Sequence, residues 1–368
     1  MDFNIYYSTI ASCDDRSAAI RRLLNDVPID KICGLVLFCL EDETGYHNML
    51  RDFRASVYEY LGRTVPVTLV PQPLLPSGGL AAEIYTLSGV EDIQLYKKDE
   101  VAYGIIENSG YSMIFIDGIA SSFFSDSVHK QSSEVFEKLN LILTSHGFSA
   151  GDIVRQWNYI GNITCHRSGR QNYQEFNDAR SAYYKTSSWP NGYPAATGIG
   201  ASCEGIIVGC IAFRSENAIY PINNPLQIAA HEYSKKVLVD DNAGAIKSTP
   251  KFERAKLIEL GDQACCFVSG TAAIRGEQSM DKNSARSQTI QTIENIEYLV
   301  SKENLVRFGC KTYDLKLLNL RVYIKNAADY DEVRATVEEL YPQIPAIYTI
   351  ADVCRDELLV EIEGILIS

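Results

Sequence analysis

No stretch of this 368-residue chain approaches the ~20 consecutive apolar residues that cross a bilayer, so no membrane partner is expected. The N-terminal segment, MDFNIYYSTIASCDD, has no basic region followed by an apolar run, and no signal peptide is expected. The ten cysteines contain no C-x-x-C. The five histidines (His47, His129, His146, His166 and His231) are scattered and form no H-E-x-x-H. The usual zinc spacings are therefore missing, and no metal is expected. Positive charge is scarce: 34 Lys and Arg stand against 47 Asp and Glu, for a net charge of -13. Nucleic-acid binding needs a basic face, so that class is set aside. A small anionic ligand is not, because a local arginine pocket can coexist with an acidic exterior. Cys33, Cys39, Cys210, Cys265 and Cys266 sit in apolar runs. That is the pattern of reduced, buried thiols, and it gives a cytoplasmic expectation.

What is present is a globular composition, 46% hydrophobic and 22% charged, long enough for two or three domains. One pattern occurs twice. An apolar strand ends in Gly-x-Ala, at Gly118 and Ala120 and again at Gly270 and Ala272. A polar turn follows, and then a helix. Val135, Leu139, Leu141 and Leu143 mark the first helix, and Ile290, Ile293, Ile296, Leu299 and Val300 the second. Each helix leads into another strand, IVRQWNYI or LRVYI. A shorter unit closes the chain: a helix over DEVRATVEELYPQI, then the strands AIYTIADVC and LLVEIEGILI. The expected class is α+β with mixed sheets, built by duplication of strand–helix–strand modules. The expected division is residues 1–110 as a structural domain, 111–260 as a central module with cleft-lining loops, and 261–368 as a C-terminal module. The stretch PAATGIG, 194–200, reads as a Gly-rich turn lining a cleft. Its glycine spacing is wrong for a dinucleotide fingerprint.

The last strand raises a chemical question. Side chains alternate along a strand, so Leu359, Glu361, Glu363 and Ile365 share one face, and Val360, Ile362 and Leu366 the other. Two glutamates in an apolar strand fit a solvated antiparallel face. They equally fit a carboxyl group that points into a cleft and moves protons.

A set of motifs bears on that choice: Trp157-Asn158-Tyr159-Ile160, Tyr173 to Arg180, Pro194 to Gly200, Asn224-Pro225-Leu226-Gln227, Phe252 to Ala255, Ser269 to Gly276, and Cys354 to Gly364. In this order, over about 150–368, they resemble the chorismatases, within the YjgF-like superfamily. The chain departs from the family's pattern at Ala273, where serine is frequent, and at Glu277, where histidine is. It also departs over 234–250, which lacks the usual Tyr-Gly-Pro.

The resemblance implies a YjgF-like fold, with three internal units that could make one chain a pseudo-trimer. Assembly as a monomer or a homo-oligomer stays open. It implies a cofactor-independent enzyme that releases pyruvate from chorismate, a step that serves secondary metabolism. Glu361 is implied as the acid that protonates the enolpyruvyl methylene. Glu363, about 7 Å further along the same face, is placed at the rim, for solvent contact or tuning. Chorismate is a small dianion, and arginine forks suit its carboxylates. The implied substrate contacts are Arg254, Arg180, Arg355, Tyr233, Tyr159, Gly270, Ala272 and Cys354. Gly270 in the SGTA turn and Cys354 match the 3-hydroxybenzoate-forming group. The alternatives are a hydrolytic relative, giving a dihydroxycyclohexadiene carboxylate, and a catalytically silent YjgF-like binding protein. Imine deamination is disfavoured, because Ile347 stands where the deaminases of the superfamily carry arginine.

Overall fold

The computed structural model describes residues 2–11, 15–40, 45–90, 92–122, 127–167, 169–234 and 248–368. Most of the divergent 234–250 segment lies outside the described residues. The first sheet is built from β1 (Asp2–Ile10), β2 (Ile32–Phe38), β3 (Val67–Val70) and β4 (Leu80–Ser88). Its helices are α1 (Arg16–Leu23) and α2 (Tyr46–Leu61). The second module comprises β5 (Gln94–Lys98), β6 (Val101–Asn108), β7 (Tyr111–Ala120), α3 (Val128–Ser145) and β8 (Ile153–Gly161). It continues through the short β9 (His166–Arg167) and β10 (Arg170–Gln171), α4 (Asn172–Tyr184), β11 (Ala195–Ala201) and β12 (Ile206–Ser215). The third opens with β13 (Ile219–Ile222), β14 (Ala255–Leu260), β15 (Gln263–Ala272) and the short β16 (Ile274–Arg275) and β17 (Gln278–Ser279). It closes with α5 (Ala285–Leu299), α6 (Lys302–Arg307), β18 (Lys316–Ile324), α7 (Tyr330–Leu340), β19 (Ala346–Ile350) and β20 (Val360–Ile367).

The strand orders reveal three copies of one topology. They are β1-β4-β2-β3, then β5-β6-β7-β12-β8-β11, then β13-β14-β15-β20-β18-β19. In each copy the last strand inserts antiparallel between two earlier ones, and the outermost pair is parallel: β2 with β3, β8 with β11, β18 with β19. Parallel neighbours need a crossover, which α2, α4 and α7 supply. The first copy lacks the leading pair of strands that the other two have. The third unit is therefore the N-terminal region. The closing helix and strands, which the sequence suggested as a separate short unit, are the second half of the last module. The sheets divide the chain near residues 90 and 217, whereas the sequence pointed to 110 and 260. β5 and β6 pair onward to β7, and β13 and β14 pair onward to β15.

The copies close into a ring. β3 packs on β7, β11 on β15, and β18 on β1. Trp157, Tyr159 and Ile199 of the second sheet and Phe267, Tyr323 and Ile365 of the third join the first module's apolar residues in one continuous core. Outer faces are covered by helices. Phe136, Leu139 and Phe176 lie against Ile116, Ile160 and Val208, and Ile293 and Val333 against Val322 and Ile362. Helix starts follow the expected chemistry: Ser127 and Ser284 each accept a backbone N–H of the first turn. Leu141, which the sequence placed on the apolar stripe of α3, is 53% exposed, and Ile142 is buried instead. No helix among the described residues is long and apolar enough to cross a membrane.

Candidate active site

A pocket opens where the second module meets the third. It is lined by apolar and polar side chains from both modules. One wall is the start of α4, with Tyr173 and Asn177. Ala196 and Gly198 of β11, and Gly270 and Ala272 of β15, form another part of its lining. Phe252, Arg254 and Tyr233 contribute from loops, and Cys354, Arg355, Leu358 and Glu361 from the final segment.

Glu361 is 5% exposed and lies on β20 between Ala272 of β15 and Tyr323 of β18. The local backbone explains how a carboxyl fits there. β15 is irregular between Val268 and Thr271 where it faces β20, so Ser269 and Gly270 form a bulge. Gly270 therefore belongs to a bulged strand and not to a turn. A Cβ on it would stand 2.0 Å from Glu361 Oε1 and 3.0 Å from Thr197 Cγ2. The bulge is pinned to β11. Gly270 N donates to Thr197 Oγ1 at 3.0 Å, and Ala196 N to Ser269 Oγ at 2.8 Å. The stretch 194–200, expected as a turn, is mostly strand β11, pairing parallel with β8. Leu359 precedes β20 and packs with the third module's core, and Leu358 takes the pocket-facing place.

Burial, followed by the charge of Glu363, pushes the Glu361 carboxyl up to about 8. Arg155 and Arg254 act in the opposite direction. Burial and then the Glu361 charge push the Cys354 thiol up to about 12, so Cys354 is a neutral, small wall.

Arg254 is buried behind the pocket mouth. Its Nη2 donates to Tyr233 Oη at 2.6 Å and to the Ile228 carbonyl at 2.8 Å, and its Nε has no partner among the described residues. Arg355 lies 5.3 Å from the Tyr233 ring centroid and donates to the Glu277 carbonyl at 2.8 Å. Glu277 in turn accepts from Ser234 N at 2.8 Å and Ser234 Oγ at 2.7 Å. The residue that departs from the family's pattern thus anchors the segment carrying Tyr233.

Three expectations need correction. Arg180 does not line the pocket; it is buried against Phe176 and donates to Asn177 Oδ1 at 2.5 Å. Tyr159 lies outside it as well, accepting a hydrogen bond from Arg321 Nη1 at 2.9 Å in the central core. Glu363 is not at a rim. It is 2% exposed and receives Arg155 Nη2 at 2.6 Å, Trp157 Nε1 at 3.0 Å, Arg321 Nη1 at 3.0 Å, Tyr323 Oη at 3.2 Å and the Thr197 hydroxyl. Burial alone would raise its proton affinity, but Arg155 and Arg321 hold the carboxyl below its ordinary range. The sequence missed Asn177, Phe252 and Leu358 of the pocket and the whole Arg155–Arg321 clamp. Asn177, Phe252 and Leu358 carried only their membership of the motif blocks, and Arg155 and Arg321 only their places in the strands IVRQWNYI and LRVYI, with nothing to separate lining from packing.

The neighbouring cleft is instructive. Ile207 pairs with Ala120 of β7 as Glu361 pairs with Ala272 of β15. Gly118 repeats Gly270, but Arg54 fills the space beside it, donating to the Gly118 carbonyl at 3.1 Å. The second module thus carries an apolar residue at the place of Glu361.

Residues 86–212 match the family described as Chorismatase FkbO/Hyg5-like, N-terminal. The chain is 32% identical over 235 residues to the 3-hydroxybenzoate synthase of Streptomyces hygroscopicus, covering 61% of this chain and 65% of that protein. It is 31% identical over 220 residues to a chorismatase of Streptomyces rapamycinicus, covering 58% of this chain and 63% of the relative. The chain thus spans just under two thirds of the length of these curated relatives. In fold it is similar to a chorismatase crystal structure, with a TM-score of 0.72 and 21% identity over 99% of this chain and 98% of the other.

Proposed function

We propose that this chain is a chorismatase that cleaves chorismate to pyruvate and 3-hydroxybenzoate, with Glu361 as general acid. The observation that carries the reading is the buried Glu361 carboxyl in the lining of a pocket that also carries two arginines; burial and the Glu363 charge push its affinity up to about 8, which favours the neutral form at pH 7. Cleaving an enol ether begins with a proton delivered to its terminal methylene carbon, and a neutral carboxylic acid can deliver it. Arg254 and Arg355 supply donors for two carboxylates. Tyr233, held by Arg254 Nη2, offers its hydroxyl proton to the same ligand.

Atom balance separates the two candidate routes. Chorismate is isomeric with hydroxybenzoate plus pyruvate, so the aromatising route consumes no net water, whereas the hydrolytic route adds one. Gly270 lets the ring approach the acid closely, and the neutral Cys354 wall holds water poorly. The relative named 3-hydroxybenzoate synthase supports the aromatising route. The test is incubation with chorismate in ¹⁸O-labelled water, followed by chromatography and mass spectrometry. Unlabelled 3-hydroxybenzoate is expected. A dihydroxycyclohexadiene carboxylate, heavier than hydroxybenzoate by one water whether or not the label enters its ring, would replace this reading by the hydrolytic one.

A further inference from the structure

β20 carries two glutamates two residues apart, and the fold gives them opposite surroundings. Five donors converge on Glu363, from Arg155, Trp157, Thr197, Arg321 and Tyr323. Among the described residues no hydrogen-bond donor reaches Glu361. The clamp is drawn from all three modules. Arg321 also donates from Nε to both carboxylate oxygens of Glu83, at 2.8 and 2.9 Å, and from Nη2 to Tyr85 Oη at 2.8 Å. Arg155, Arg321, Glu83 and Glu363 make two cations and two anions in a water-poor centre, all at most 2% exposed. The set is neutral as it stands. An ionised Glu361 would add an uncompensated charge beside it.

We infer that Glu363 is a positioning residue: clamped as a fixed anion by Arg155 and Arg321, it keeps the adjacent Glu361 carboxyl protonated until a substrate accepts the proton. This rests on reading Glu361 as the acid of the proposed cleavage. The other groups facing Glu361 are Arg155 from β8, Arg254 from the stretch before β14, Cys354 and Arg355 from the segment before β20, and Tyr173 from α4. Of these Arg155 and Arg254 oppose protonation, and Cys354 and Tyr173 stay neutral. Glu363 is therefore the one fixed anion that favours it, and burial is the competing cause. After the proton leaves, Arg155 is the cation that receives the new carboxylate's charge. Its Nε and Nη1 are buried without a partner among the described residues.

The experiment is a carbon-13 NMR titration of ligand-free protein labelled at the glutamate carboxyl carbons, with E361Q used to assign Glu361 and E363Q to assign Glu363. In the native protein Glu361 is expected to titrate near neutrality or above, with Glu363 ionised down to the acid limit of the folded state. In E363Q the Glu361 midpoint is expected to fall by at least about one pH unit, a tenfold change in proton affinity. E363D, which keeps the charge, should retain most of the raised midpoint. An unchanged Glu361 midpoint in folded E363Q would assign the effect to burial and overturn the inference. Should E363Q not fold, the native titration and E363D decide: a Glu363 that is protonated while Glu361 is ionised overturns it equally. Pyruvate release from chorismate is measured in parallel. If the titrations come out as expected and no pyruvate appears, the proposed reaction fails and the proton-affinity claim stands. Pyruvate release with an unmoved midpoint is the reverse outcome.

Discussion

At the scale of single residues, the account rests on a carboxyl kept neutral where ordinary glutamates are charged. Its folded affinity, about 8, lies above the ~4.3 of an unfolded glutamate. The stability it contributes is complete below the unfolded value and is lost as pH rises through the folded one. E361Q should flatten that dependence: its melting temperature, compared with the native protein's, should rise progressively between pH 5 and 8. A constant difference across that range would contradict the raised affinity. Arg254 offers a second test. A lysine cannot reproduce the fork that holds Tyr233 Oη while meeting a carboxylate, and hydrogen bonds to charged groups contribute about 1.5–3 kcal/mol. R254K should raise the KM for chorismate by about 10–100-fold with an intact fold by circular dichroism. Unchanged kinetics would return Arg254 to a packing role.

At the scale of elements, the bulge at Ser269–Gly270 makes room for the acid, and β11 fixes the bulge. G270A places a methyl 2.0 Å from Glu361 Oε1, so the carboxyl must move. Overpacking of this kind costs about 1–3 kcal/mol of stability, and a displacement near 1 Å can cost about 100-fold in rate. The expected result is a folded protein with a larger loss in kcat than in affinity for chorismate. Retained kcat would show that the acid has slack. The elements also show what the sequence could carry. Alternation placed Glu361 and Glu363 on one face of a strand, and β20 has that face. The Gly-x-Ala pairs marked β7 and β15, equivalent strands of two modules. The same alternation could not say that one glutamate faces a pocket and the other a clamp. That difference is set by Arg155 and Thr197, which lie more than 160 positions away in the chain. The glycines of PAATGIG suggest a turn in the sequence, yet the stretch is mostly strand. Those glycines let neighbours approach a strand: a Cβ at Gly198 would come 3.1 Å from the Tyr173 ring.

At the scale of the whole molecule, three copies of one module enclose a shared core, and the described residues place Glu361 in one of the clefts between them. The N-terminal copy was hidden from the sequence because it lacks both the Gly-x-Ala signature and the leading strand pair, so its kinship lies in strand order alone. It is nonetheless tied to the site. Glu83 of β4 grips Arg321 across 238 positions of sequence, and Arg321 grips Glu363. Breaking a buried ion pair from one side leaves an uncompensated charge and costs about 3–5 kcal/mol. E83A should lose that much in denaturant unfolding, although the residue does not line the pocket. A loss below about 1 kcal/mol would mean the first module does not brace the clamp.

The most direct measurement is the rate of pyruvate release from chorismate by the native protein and by E361Q at pH 7, with chorismate affinity measured separately by calorimetry. The account predicts release by the native protein, a fall of about 10²–10⁴-fold in kcat for E361Q, and an affinity within a few-fold of native. Release by E361Q at the native rate, or no release by the folded native protein, would contradict it.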